Sequence, residues 1–399
     1  MAKVIAVNAG SSSLKFKLFD MPAEKVICSG LAEKIGHEDA IFSIKPAGKD
    51  KNETICAIKD HAVAVDMLLE ALIEYDIVKS LDEIKGVGHR VVQGGEEFSH
   101  SEEITDKLER VIEELTPLAP LHNPANLVGY RAFKKALPKV KHVAVFDTAF
   151  HATMEPQDFM YPVPYEYYEK YKVRRYGFHG TSHLYLSQQG KVYLKDGQSR
   201  IITCHIGSGA SLCAIKNGKC VATSMGLTPL PGVMMGTRTG DIDPSVITYM
   251  SKQTGKTCED IYNELNKKSG VLGISGVSND TRDVEKGALE GNERCKLAVQ
   301  LFARRVADYI GQYYVRLGGC DLIVFSAGIG ENSAYFRKEI IDQVSEALGV
   351  KLDTNSNNNT IRGKEGYIST FDSKIPVVVI PTDEEIVIAR DTCSILKIK

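Results

Sequence analysis

The sequence predicts a mixed α/β protein built from two similar domains, and three observations carry that expectation. VIAVNAGSSSLKFKL (4–18) and IITCHIGSGASLCAI (201–215) share one shape: a β-branched run, a small-residue turn and a returning apolar run. VAVFDTAFH (143–151) and LIVFSAGIG (322–330) follow in the same order, each an apolar run of four that ends in a small polar group, as buried parallel strands do. The chain has 399 residues, more than one hydrophobic core usually serves, so two domains are expected. A cleft is expected between them, with both Gly/Ser turns facing it.

Each element has its own signal. Asn217-Gly218 follows the second repeat and predicts a tight hairpin into KCVATS. Residues 61–75 and 107–118 carry apolar positions at three- and four-residue spacing and read as helices. Residues 292–319 read as a long amphipathic helix closed by Gly318-Gly319. The polar tract 353–366 reads as a loop or hairpin tip. Residues 375–396 read as a buried strand, a Pro-Thr-Asp break and a final helix capped by Thr382 or Asp383, with Glu384 and Glu385 in its first turn.

Composition narrows the function classes. Hydrophobic residues are 43% and charged residues 25%, and 49 Lys+Arg against 51 Asp+Glu leave a net charge of −2. Nothing in that balance points to nucleic acid or to an anionic membrane. Nine cysteines without a CxxC pair read as reduced, buried thiols of a cytoplasmic protein. The apolar run at the N-terminus breaks at Asn8, too short for a signal peptide, and no run approaches a membrane span.

The chemistry-bearing motifs lie in the turns. No Walker-type loop, dinucleotide fingerprint or HExxH is present. NAGSSSLK (8–15) is either a plain hairpin turn or a cradle of backbone N–H groups for phosphate, and HIGSGAS (205–211) matches it in the second repeat. SAGIGENS (326–333) is either a glycine loop approached by a nucleotide or a strand-to-helix turn capped by Asn332 or Ser333. Arg90 sits in an apolar strand, Arg238 in a Gly-flanked turn, and Arg174, Arg175 and His179 crowd beside Phe178. An arginine in a cleft seeks a carboxylate or phosphate, and each of these can instead be a structural partner of an acid. Asp147 ends an apolar strand and is either a cleft group or a helix cap. His179 and His183 have metal-pair spacing, but Gly180 intervenes and no acidic third ligand follows.

Taken together, NAGSSSLK, GHRVVQGG, PLAPLHNP, FDTAFH, RRYGFHGTSH, HIGSGAS, TSMGLTPL, MMGTRTGDIDP, SAGIGEN and PTDEE closely resemble the acetate kinases, the acetokinase family of the actin and sugar-kinase superfamily. These segments span residues 8 to 385. The resemblance implies two actin-like (ribonuclease H-like) domains: residues 1–150 with the C-terminal helix 384–399, and residues 151–383, which bind nucleotide and dimerise. It implies reversible, direct in-line phosphoryl transfer from ATP to acetate, giving ADP and acetyl phosphate, with Mg²⁺ or alternatively Mn²⁺. A cytoplasmic homodimer without nucleic-acid or membrane partners is also implied.

Carried over by position, Asn8 and Glu384 fall where the family holds magnesium, and Lys15 where it meets ATP. Arg90 falls on the substrate-carboxylate arginine, His179 and Arg238 on the transition-state stabilisers, and Asp147 on an essential aspartate. The nucleotide segments correspond to His205, Ile206, Gly207, Ser208 and Gly209, to Asp280, Thr281 and Arg282, and to Gly328, Ile329, Gly330, Glu331 and Asn332. The acetate methyl group corresponds to Val92, Leu121, Phe178 and Pro229. Val92 follows Arg90 by two, so in a continuous strand the two share a face.

Three positions depart from the family pattern: Ser208 for Asn, Pro231 for Glu, and Asp383 for Asn, the last adding negative charge beside the metal position.

The chemistry fits. Acetate is ionised at neutral pH and needs no general base, so Asp147 is expected to orient a metal-bound water or a catalytic arginine. The barrier lies in joining two anions, which Arg90, Arg238, His179 and a metal ion would neutralise. A propionate kinase of the same family is the alternative enzyme. A sugar kinase would lack TRTGDIDP, and a partner-binding ATPase would need a further domain.

Overall fold

The computed structural model describes residues 2–398, which divide into two compact units: residues 2–150 with 383–398, and His151–Thr382. The first holds β1 (Ala2–Ala9), β2 (Ser13–Met21), β3 (Lys25–Glu33), β4 (Ala40–Pro46), β5 (Asn52–Cys56), β6 (Ile84–Val91), β7 (Glu102–Glu103) and β8 (Lys141–Phe146). They form one sheet in the order β5-β4-β3-β2-β1-β6-β8-β7. Strands β1 to β3 are antiparallel neighbours, while β6 runs parallel to β1 and β8 parallel to β6.

The second unit holds β9 (Arg200–Ile206), β10 (Ala210–Lys216), β11 (Lys219–Thr223), β12 (Leu322–Ser326), β13 (Gly366–Tyr367) and β14 (Val377–Val379), in the order β11-β10-β9-β12-β14-β13. Here too an antiparallel triplet continues into two parallel strands. Both units therefore have the actin-like strand order. The matched hairpins are equivalent, β1–β2 to β9–β10. The second matched pair is not: β12 lies directly beside β9, so its counterpart is β6, and β8 corresponds to β14. Short apolar runs with a polar end describe any buried parallel strand, so that pattern could not tell the two positions apart.

Asn217 and Gly218 have φ of 54° and 75°, the left-handed pair that closes a two-residue hairpin. The long helix runs Glu293–Leu317, with Asn292 accepting from two backbone N–H groups at its start and Gly318 left-handed at its end. The tract 353–366 is not simply a loop: Asp353 caps a short helix, Thr354–Asn359. Five Asn and Ser residues in six hid that helix, since they favour turns unless a cap commits them.

In the first unit, Phe16, Leu18, Leu68, Leu72 and Phe133 share one core, packing the helices His61–Glu74 and Asn123–Ala136 against the sheet. Burying each of these side chains stabilises by roughly 1.5–3 kcal/mol. The other face receives the C-terminal helix Glu384–Leu396, capped by Asp383. Two glycines of β6 permit its approach. A Cβ on Gly88 would lie 2.2 Å from Thr392 Oγ1 and 2.5 Å from Ile388 Cγ2, and one on Gly86 would lie 2.9 Å from Thr392 Cγ2. No helix is long and apolar enough to cross a membrane among the described residues.

Candidate active site

In the first unit, strand register lines up the charged groups. Asn8 lies directly opposite Lys15 across the β1–β2 hairpin, so their side chains share a face. Val7 is level with His89 on β6, and Arg90 with Val145 on β8, so Asn8, Arg90 and Asp147 emerge together at the C-terminal ends of three parallel strands. Such ends are where open α/β sheets bind ligands. Arg90 Nε donates to Asp147 Oδ1 at 2.9 Å, Nη2 donates to Oδ2, and Nη1 donates to Asn8 Oδ1 at 3.3 Å. Asp147 is fully buried, and its backbone N–H donates to Val91 O. Burial opposes the charge on Arg90, but the field and hydrogen bonds of Asp147 outweigh it and raise the pKa.

The C-terminal helix adds two carboxyls. Burial pushes Glu384 up to about 7; Arg90 opposes that rise, and Asp147 and Glu385 reinforce it. Glu385 is also pushed up by burial, but Lys17 and Lys15 pull it down to about 2. Lys15 pairs with Glu385, while Lys17 Nζ stands 2.9 Å from Asp383 Oδ1 and 3.2 Å from Glu385 Oε2. The extra negative charge of Asp383 is thus matched by Lys17, and its carboxylate accepts from Ile386 N as the helix cap.

Two asparagines missed at the level of sequence brace these strand ends. Asn126 Oδ1 accepts from Val92 N at 3.0 Å and its Nδ2 donates to Ala9 O at 2.8 Å, while Asn123 bonds both backbone groups of Gln93. Val92 is buried, but β6 ends at Val91, so the strand alternation that would pair it with Arg90 stops one residue short. Leu121 is 72% exposed on this unit.

In the second unit, His179 has a left-handed φ of 58° at the start of the helix Gly180–Gly190. Its ring stacks on His205 at 4.1 Å, and its Nδ1 lies 2.8 Å from Ser211 Oγ. Ser211 Oγ lies at the same 2.8 Å from His183 Nε2, and Thr203 Oγ1 is 2.7 Å from His183 Nδ1. His205 and Ser211 are opposite one another across β9–β10, and His205 Nδ1 lies 2.7 Å from Ser182 Oγ. Both nitrogens of His183 therefore face hydroxyls, and burial holds its pKa well below the usual value.

Arg238 Nη1 donates to Pro229 O at 3.0 Å and reaches Met235 Sδ at 3.4 Å. No carboxylate pairs with Arg238 among the described residues, and burial lowers its pKa. Gly209 marks where these groups meet: a Cβ there would lie 3.6 Å from both Arg238 Nη1 and His179 Nε2. Phe178 is buried, and its carbonyl lies 2.9 Å from His151 Nε2. Arg175 Nη1 instead donates to the carbonyls of Thr223, Ser224 and Met225, and Arg174 lies over Phe159, so both serve the scaffold.

A cavity of about 840 Å³ in the same unit gathers Ser208, Asp280, Thr281, Arg282, Gly328, Ile329 and Asn332. Asp280 caps its helix and pairs with Arg282, whose hydrogen bond holds the carboxyl down at about 2. His205, Ile206, Gly207, Gly209, Gly330 and Glu331 do not line it. Glu331 Oε1 instead accepts from the backbone of Ala327 at 2.8 Å and of Thr382 at 3.0 Å. Ile361 and Arg362 complete the wall; the short helix Thr354–Asn359 carries them there.

Comparisons with known proteins establish the family. A model of the Acetokinase family matches residues 3–390. An acetate kinase of Geobacillus kaustophilus is 56% identical over 393 residues, covering 98% of each chain, and one of Bacillus subtilis is 53% identical over all of both chains. The crystal structure of Porphyromonas gingivalis acetate kinase superposes with a TM-score of 0.93 at 45% identity, covering 99% of this chain and 100% of that one. A propionate kinase from Francisella tularensis also superposes at 0.93, with 40% identity and the same coverage. A match that runs from the first strand to the final helix, with relatives above half identity, is decisive: the chain belongs to the acetokinase family.

Proposed function

We propose that this enzyme transfers the γ-phosphoryl group of ATP to acetate, giving acetyl phosphate and ADP, and runs the reaction in reverse. Acetate kinase activity is that of its full-length relatives. The observation that carries the residue assignment is Arg238, a cation without a carboxylate partner, converging with His179 on the Gly209 turn. Such a pair is suited to charge building on a transferring phosphoryl group.

Acetate arrives ionised, so the protein positions it and cancels charge. Arg90 holds the carboxylate, and Asp147 holds Arg90 in orientation through the two-point pair. Asp147 therefore acts through arginine rather than as a base. Val92, Leu121, Phe178 and Pro229 are assigned to the acyl group on the strength of the family resemblance. Ser208, the Asp280–Arg282 segment and residues 328–332 of the short helix Ala327–Asn332 hold the nucleotide. The donor set fits a hard divalent ion, since Asn8 offers a carbonyl oxygen and Glu384 a carboxyl pushed up to about 7, one short of a cation. Mg²⁺ there, or Mn²⁺, would neutralise phosphate charge. A cytoplasmic homodimer completes the proposal on the strength of the family resemblance.

The test is acyl phosphate formation, trapped with hydroxylamine, from ATP with acetate, propionate or butyrate. Acetate is expected to give the highest kcat/KM. A preference for propionate would move the reading to the propionate kinases, and absence of any acyl phosphate would overturn it.

A further inference from the structure

Behind the loop that carries His179, the second unit buries three soft donors together. His151, Cys213 and Cys220 are wholly buried, and one ligand atom of each lies within 4.8 Å of the others. His151 Nδ1 is 3.2 Å from Cys220 Sγ, and the two sulfurs are 3.4 Å apart. In a tetrahedral zinc site, with metal–sulfur bonds of about 2.3 Å and metal–nitrogen bonds of about 2.0–2.1 Å, donor atoms stand only slightly farther apart than this.

The surroundings select the metal-ready form of the histidine. His151 Nε2 lies 2.9 Å from the carbonyl oxygen of Phe178, which can only accept, so Nε2 carries the proton. In the neutral ring Nδ1 is then a lone pair, and it is the atom facing the thiols. A histidine whose outer nitrogen donates to a carbonyl is the usual arrangement at metal centres. Thr153 Oγ1 donates to the Cys220 carbonyl at 2.8 Å, which fixes the strand that brings the sulfur in.

We propose that His151, Cys213 and Cys220 form a binding site for one thiophilic divalent cation of the zinc class. Charge selects the divalent ion. Two thiolates and a neutral imidazole give −2, so a divalent cation leaves a neutral buried centre, whereas a monovalent one leaves uncompensated charge in a low-dielectric interior. Binding forms two metal–sulfur bonds and one metal–nitrogen bond, breaks whichever S–H bonds the two sulfurs still carry and releases those protons to solvent; no oxidation state changes.

The test uses the full chain, stripped of metal under a thiol-free reductant. Cd²⁺, added as a spectroscopic stand-in for Zn²⁺, should give a thiolate-to-metal charge-transfer band that saturates at one equivalent. Zn²⁺ should displace it with the same stoichiometry. In weak buffer, wild-type protein should release between one and two protons per Zn²⁺ bound, because, against burial, Cys213 and His151 lower the Cys220 thiol to about 6. Cys213→Ala/Cys220→Ala should lose the band, while Cys258→Ser, at an exposed cysteine, should keep it. A charge-transfer band cannot arise from the oxygen donors at Asn8 and Glu384, so binding there is distinguished. Absence of the band in folded wild-type protein, or its persistence in the double variant, would overturn the proposal. Proton release reads the wild type alone and still decides the matter if the double variant does not fold.

Discussion

Arg90 and Asp147 form a two-point ion pair in which Nε donates to Oδ1 at 2.9 Å and Nη2 donates to Oδ2, with the carboxylate fully buried. The pair fixes the guanidinium plane, and a planar fork is what recognises a carboxylate. Arg90→Ala should raise KM for acetate by at least tenfold while KM for ATP changes little. Arg90→Lys should not rescue it, because an ammonium is a point charge. The alanine variant also leaves Asp147 buried and charged, a loss of about 3–5 kcal/mol. Arg90→Ala/Asp147→Ala should therefore melt at a higher temperature than Arg90→Ala. Equal shifts in both KM values would mark the arginine as purely structural.

Arg238 has a carbonyl and a thioether as its hydrogen-bond partners and no acid. Its removal orphans no buried carboxylate, so the fold should be nearly unaffected. Arg238→Ala should lower kcat by about 10²–10³, the range for one preorganised charge-stabilising contact, with little change in KM for ATP. A near-normal kcat in steady-state assays would remove Arg238 from the chemistry.

The repeats, hairpins, long helix and charged strand ends were legible because each rests on a local signal: period, turn residues or caps. Asn123 and Asn126 were not, since an asparagine that braces a strand end from a distant helix leaves no mark in its own neighbourhood. Ser211 lay inside a recognised motif, yet its role depends on β9–β10 register and on a helix that delivers His179 and His183. Asp383 read as a disturbance because the sequence does not reveal that Lys17, 366 residues away, is its partner. The equivalence of β12 with β6 was hidden for the same reason: strand order is a tertiary property.

Ser211 has a single proton and two histidine nitrogens to serve at 2.8 Å. It holds His179 Nδ1, so Nε2 faces Gly209. Ser211→Ala should cost about one hydrogen bond of positioning, near 1–1.5 kcal/mol, or roughly tenfold in kcat. KM values should hold. Ser211→Thr, which retains the hydroxyl, should recover part of the rate. An unchanged kcat in Ser211→Ala would show that Ser211 does not act through His179.

Val92 donates its N–H to Asn126 and is buried just beyond the end of β6. If it closes the acyl site, Val92→Ala makes room for one methylene, a difference of roughly 1–3 kcal/mol in a hydrophobic site. The acetate-to-propionate ratio of kcat/KM should fall by about tenfold. An unchanged ratio would place Val92 in the packing alone.

The first unit also carries an acid-sensitive pair. His89 Nε2 lies 3.0 Å from His142 Nδ1, and both rings are buried beside Tyr130. His142 Nε2 has no hydrogen-bond partner. Burial, aided by the charge of Lys134, lowers the pKa of His142 from 6.5 to about 4, and burial with the neighbouring ring puts His89 well below its usual value. The unfolded chain therefore takes up protons here before the folded chain does. The stabilising contribution is complete above pH 6.5 and is lost as the pH falls towards 4. Wild-type protein should accordingly lose melting temperature between pH 7 and 5, apart from what its carboxylates contribute at lower pH. His142→Gln keeps an acceptor for His89 but cannot titrate, so its melting temperature should fall less over that interval, although the variant starts lower at pH 7. Parallel curves for the two proteins would show that the pair does not govern acid stability.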